Sequence, residues 1–86
     1  MITWTSNAWE EFTSLQDKDR KTIKRIIKLI KDIERNGYTG IGKPEALKGD
    51  LSGLWSRRID SKNRIVYKID EDTVRIYQCG SHYGDK

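Results

Sequence analysis

The chain has 86 residues, 35% of them hydrophobic and 35% charged, with a formal net charge of +4; a chain this short buries roughly 60% of the surface its unfolded form exposes, which leaves room for one modest core and excludes a second domain. Three Trp, four Tyr and a spaced Ile/Val set supply apolar area that argues against disorder. The lone Cys79 excludes an internal disulfide, one Cys and one His exclude the usual structural zinc site, and no apolar run nears the ~20 residues that cross a bilayer.

The N-terminus lacks the basic and then apolar pattern of a signal peptide, so a cytoplasmic protein without membrane contact, metal or other cofactor is expected, built as one domain over residues 1–86. Ile2 to Thr5 reads as an edge strand. Ser6 is the expected cap of a first helix through Gln16, with Trp9, Phe12 and Leu15 as its apolar face and Glu10 and Glu11 in its first turns. Asp17 is the expected cap of a longer helix from about Lys18 to Asn36, where Ile23, Ile26, Ile27, Ile30 and Ile33 form a stripe at steps of three and four. Asn36-Gly37 ends it. Between Asp17 and Asn36 there are eight basic and four acidic side chains, so the whole net charge sits on this segment. Such a stripe favours approach to phosphates or an acidic partner, and equally can be the solvated outer face of a helix.

Tyr38 to Asp50 reads as a long glycine-punctuated loop. Gly37 with Gly42-Lys43 has the spacing of a nucleotide phosphate loop, but Pro44 stands where Ser or Thr should hold magnesium, and a helix precedes it where a strand should. From Leu54 the period becomes two. Leu54 to Asp60, Arg64 to Asp70 and Thr73 to Cys79 are expected as an antiparallel meander with turns at 60–63 and 70–72. Alternation then assigns Ile59, Ile65, Tyr67, Ile69, Val74 and Ile76 to the buried face, together with Arg57, and turns Arg58, Arg64, Val66 and Lys68 outward. Gly80 and Ser81 interrupt the pattern, so alternation does not place His82 or Tyr83.

Glu45 is a candidate general base beside Lys43 and Lys48, or an exposed loop glutamate that solvates the surface. His82 is the natural proton donor near neutrality, and Tyr83 can stack on a base. Together with the arginines these are the parts of a metal-independent ribonuclease, in which the 2′-hydroxyl of the RNA is itself the nucleophile.

The run GIGKPEALKGDLSGLWSRRIDSKNRIVYKID, the terminal SHY and the KTIKRIIKLIKDI helix resemble the YoeB-type toxins of the RelE/ParE superfamily, the toxin halves of bacterial toxin–antitoxin pairs. The resemblance implies an α+β fold, with two N-terminal helices packed on an antiparallel β-sheet in the RelE-like, microbial ribonuclease-like manner. It further implies an endoribonuclease that cleaves mRNA in the ribosomal 30S A site, with Glu45 as base, Arg64 stabilising the phosphate, His82 as acid, Tyr83 shaping the site, and Lys48 and Arg58 contacting substrate. A YefM-like antitoxin is the implied partner, and the family is often a homodimer. Relatives commonly read PEPLK where this chain has Ala46, and commonly stop at the Tyr that Gly84, Asp85 and Lys86 follow here. Two other functions stay open: a non-enzymatic poison like the ParE-type proteins that act on gyrase, and a ribosome-binding module that blocks translation through the basic helix.

Overall fold

A computed structural model describes residues 1–80. The elements are β1 (Ile2–Trp4), α1 (Ser6–Ser14), α2 (Arg20–Asn36), β2 (Glu45–Ala46), β3 (Trp55–Arg58), β4 (Arg64–Asp70) and β5 (Thr73–Cys79), with one 3₁₀ turn at Gly49–Leu51. The strands form one sheet of order β1-β5-β4-β3-β2. The meander from β2 to β5 is antiparallel; β1 joins the free edge of β5 in parallel, Ile2 beside Val74 and Trp4 beside Ile76, which makes the sheet mixed rather than wholly antiparallel. Both helices cover one face of it, and the core between them joins Ala8, Ile26, Leu29, Ile30 and Ile33 to Ile59, Ile65, Tyr67, Val74, Ile76 and Cys79.

Both helices start at a different cap from the one the sequence suggests. Thr5, not Ser6, caps α1: its hydroxyl oxygen accepts the Ala8 N–H at 3.1 Å and its own O–H reaches the Tyr77 carbonyl at 3.2 Å, so the cap also ties the helix to β5. The helix ends at Ser14 instead of Gln16, where Leu15 and Gln16 donate to Phe12 and Thr13, a tighter three-residue winding. Its buried side is Ala8, with Phe12 and Leu15 packed against the core, while Trp9 is 51% exposed and meets Trp4 edge-on at 5.5 Å. Asp19, rather than Asp17, caps α2 by accepting the Thr22 N–H at 3.0 Å. In α2 the buried row is Ile26, Leu29, Ile30 and Ile33; Ile27 is 40% exposed, because the stripe of isoleucines is wider than the contact with the sheet. Gly37 ends α2 with φ +70, donating its N–H to Ile33 at 2.8 Å, as expected of a glycine at that position.

Alternation in the meander predicts the core correctly through β4, and a bulge changes it in β5. Val66 pairs with Gln78 but Tyr67 pairs with Ile76, so Tyr77 is the extra residue. Ile76 and Cys79, three apart, consequently both face the core with no exposure, and Gln78 is turned to the opposite face. The segment from Tyr38 to Asp50 is not loop throughout. Glu45 and Ala46 pair with Ser56 and Trp55, and Leu47 extends the ladder by donating to Leu54 at 2.9 Å.

Arg57 organises the chain that leads into this edge. Its side chain is fully buried on the helix side of β3, as alternation predicts. The guanidinium donates to Asp32 of α2 at 2.5 Å and to the carbonyls of Gly37, Thr39 and Ile41 at 2.8, 2.7 and 3.1 Å, while Nε donates to the Tyr67 hydroxyl at 3.2 Å. One side chain thus serves three part-buried loop carbonyls. The Asp32 carboxylate in turn accepts the N–H of Ile41 at 3.1 Å. Gly42 follows with φ +84, where an added Cβ would lie 2.8 Å from Leu29 and 3.2 Å from Arg57. Its carbonyl accepts the Arg58 N–H at 2.7 Å, which delivers the next residues alongside β3.

Candidate active site

The sheet face turned away from the helices carries the charged side chains singled out in the sequence. Glu45 stands directly opposite Ser56, Ser56 opposite Val66, and Val66 opposite Gln78, giving one row across four strands. In the neighbouring row Arg58 stands directly opposite Arg64. Because side chains alternate along each strand, Glu45, Ser56, Arg58, Arg64, Val66 and Lys68 all project from this face. Glu45 and Arg58 are exposed and Arg64 is half-buried. Lys48 lies exposed just past β2 and lines an open groove of about 320 Å³ with Glu45, Ala46 and Leu47. His82 and Tyr83 lie outside the described residues.

The structure corrects the position of Glu45: it sits on an edge strand held by β3, not in an exposed loop. Local propensity does not show this, since a two-residue strand between Pro44 and the Gly49 turn has no periodicity of its own. Alternation names Val66 as outward-facing but says nothing of Ser56 or Leu47. Ser56 and Val66 are buried although they lie on the outward face, and Leu47, also buried, stands outside the main core on the same side. These small and apolar groups form a floor between the charged side chains. Gln78 reaches this face only through the bulge at Tyr77.

Arg58 and Arg64, directly opposite each other, put two guanidinium groups side by side on this face, a geometry able to fork onto the oxygens of a phosphate. Sulfate should therefore raise the melting temperature of the protein more than chloride does at equal ionic strength, and Arg64→Gln should remove most of that difference; equal responses in both proteins would exclude an anion site here. Cys79 has no part in it. Burial, and then the charge of Glu11, push its thiol up to about 12, and Sγ donates to the Ala8 carbonyl at 3.4 Å, so it is a packed core group rather than a nucleophile.

This fold, with a carboxylate and basic side chains on the open face of the sheet, is that of RelE-like toxins. It superposes on a YoeB/ParE toxin from Agrobacterium tumefaciens with TM-score 0.92 and 37% identity, covering 95% of this chain and 98% of that one. A YoeB from Staphylococcus aureus, solved in a heterotetrameric complex with YefM, gives TM-score 0.91 and 44% identity over 96% of this chain and 97% of that one. Among sequences, Toxin YoeB of Streptomyces coelicolor is 54% identical over 95% of this chain and 98% of its own length, and Toxin YoeB of Escherichia coli K12 is 42% identical over 95% and 98%. The profile of the YoeB-like toxin of bacterial type II toxin-antitoxin system matches residues 4–83. The chain belongs to that family and is the toxin of a type II toxin–antitoxin system. Among the described residues no helix is long and apolar enough to cross a membrane.

Proposed function

We propose that this toxin is a ribosome-dependent, metal-independent mRNA endoribonuclease that stops translation by cleaving the message in the A site. The observation that carries this reading is the shared outward face of Glu45, Arg58 and Arg64, a carboxylate beside two opposed guanidinium groups. Glu45 takes the proton of a ribose 2′-hydroxyl, and the 2′-oxygen attacks the adjacent phosphorus. Arg64 neutralises the charge that builds on the phosphoryl oxygens as the 2′-O–P bond forms and the P–O5′ bond breaks, and Arg58 contacts the substrate. His82 gives its proton to the departing 5′-oxygen, Tyr83 shapes the site, and Lys48 holds the backbone of the message. The nucleophile belongs to the substrate, so the reaction as written needs neither metal nor cofactor.

The proposed partner in the resting cell is a YefM-like antitoxin, by analogy with the YoeB–YefM complexes of Staphylococcus aureus, and self-association is proposed on the precedent of the YoeB dimer from that organism. The exposed lysines of α2, Lys24, Lys28 and Lys31, then serve binding to ribosomal or message phosphates in a salt-dependent way.

Primer extension on a defined message, with and without ribosomes, tests the reading. Discrete new 5′ ends within codons, appearing only with ribosomes and persisting when free divalent ions are chelated after assembly, are the expected result. Translation arrest without any cut would favour the blocking module, and DNA damage without cuts the gyrase poison.

A further inference from the structure

In the Glu45 row, Ser56 is the residue that carries a buried side-chain polar atom without a hydrogen-bond partner. Its Oγ is fully buried and has no hydrogen-bond partner, while the residue itself is 0% exposed. Buried hydroxyls are almost always paired, because the desolvation of an orphaned one is uncompensated. An alanine would fill nearly the same space on the floor beside Val66 and Leu47 and would avoid that loss, so the hydroxyl works against stability. Register supplies the reason to retain it: Ser56 is directly opposite Glu45, and side chains so placed have Cβ atoms about 4.5–5.5 Å apart. Glu45 is exposed on the sheet edge, so packing does not fix its rotamer.

We propose that the Ser56 hydroxyl donates a hydrogen bond to the Glu45 carboxylate and is the positioning residue that aims this base at its proton. The inference rests on the nuclease reading for its catalytic consequence, but not for the contact itself. Ser56 never touches substrate. It lies beneath the face, anchored in β3 between the buried Arg57 and the strand-end Trp55, so it offers a fixed donor to an otherwise mobile side chain at the sheet edge.

The test compares wild type, Ser56→Ala and Ser56→Thr by three measurements. In Ser56→Ala the melting temperature should be unchanged or higher, and kcat should fall about tenfold with KM unchanged. Threonine retains the donor and should restore the rate; if it does not fold, Ser56→Cys, a poor donor, should behave as the alanine variant does. Carbon-13 NMR of the Glu45 side-chain carboxyl in the free protein at pH 7 reads the contact without any turnover, its chemical shift moving in Ser56→Ala and returning in Ser56→Thr. An unmoved shift overturns the proposal even if cleavage is confirmed. A moved shift in a protein that cuts no message upholds the hydrogen bond and overturns the nuclease instead.

Discussion

Glu45→Gln should lower the rate of message cleavage by roughly 10²-fold or more while leaving the fold intact, since a positioned general base contributes about 10²–10⁴. The side chain is exposed on an edge strand, and the amide keeps its size, so no packing or backbone hydrogen bond is lost. Circular dichroism and the urea midpoint should match wild type, with the whole effect in kcat. His82→Ala should fall by a comparable factor if it is the acid. Arg58→Gln, at the proposed substrate contact, should instead raise KM and weaken the dependence of binding on salt. Full activity in a folded Glu45→Gln protein would remove the carboxylate from the mechanism and leave the arginine pair as a binding site only.

Replacing Arg57 by methionine should destabilise the protein markedly, because the fully buried guanidinium serves both the part-buried Asp32 and three loop carbonyls, and a loss of even ~2 kcal/mol is a large part of the roughly 5–15 kcal/mol that holds a domain together. The change strips Asp32 of its guanidinium and also leaves the carbonyls of Gly37, Thr39 and Ile41 without that donor. Pairing it with Asp32→Leu should recover part of the loss, because the stranded charge is gone while the carbonyls stay unserved. The same site has a pH signature. The hydrogen bond from Arg57, then those from Ile41 and Asn36, hold the Asp32 carboxyl below its ordinary 3.8 against the opposing effect of burial. Its contribution is therefore present above about pH 4 and is lost as the pH falls through the lower folded value. Asp19 and Asp60, held down chiefly by side-chain bonds to Thr22 and Asn63, add to the same acid slope. Urea titrations from pH 7 down to pH 2 should show Asp32→Asn less stable at neutrality and flatter in acid; an unchanged acid slope would show that Arg57 spends its bonds on the carbonyls alone.

Arg57 and Arg58 show how neighbours in the chain divide the work. Alternation sends one inward to hold the loop between α2 and β2 and the other outward to the charged face. Loss of Arg57 should thus reach the charged face indirectly, since the loop that Arg57 gathers ends in the strand carrying Glu45. The glycine at 42 belongs to the same device, because its positive φ and the contact distances around it leave no room for a side chain.

Much of this protein is written in its pattern. The 3.6-residue period of α2, the glycine that ends it and the two-residue period of β3 and β4 follow from local sterics and from apolar burial, which act over a few residues. They suffice to place Arg57 inside and Arg58 and Arg64 outside. What the pattern does not contain is set by partners distant in the chain. Thr5 rather than Ser6 caps α1 because β1 extends to Trp4 and the Thr5 hydroxyl also finds Tyr77, and Asp19 caps α2 after the chain has turned through residues 15–18. Cys79 is buried, and Gln78 turned out, by a bulge that strict alternation reads the wrong way. Glu45 became a strand residue only because β3 offered its free edge to a segment too short to be a strand alone. Local chemistry thus determined which residue types are available for acid–base and phosphate work, whereas the gathering of Glu45, Arg58 and Arg64 on one face was decided by pairing between segments whose backbone groups must be satisfied by one another.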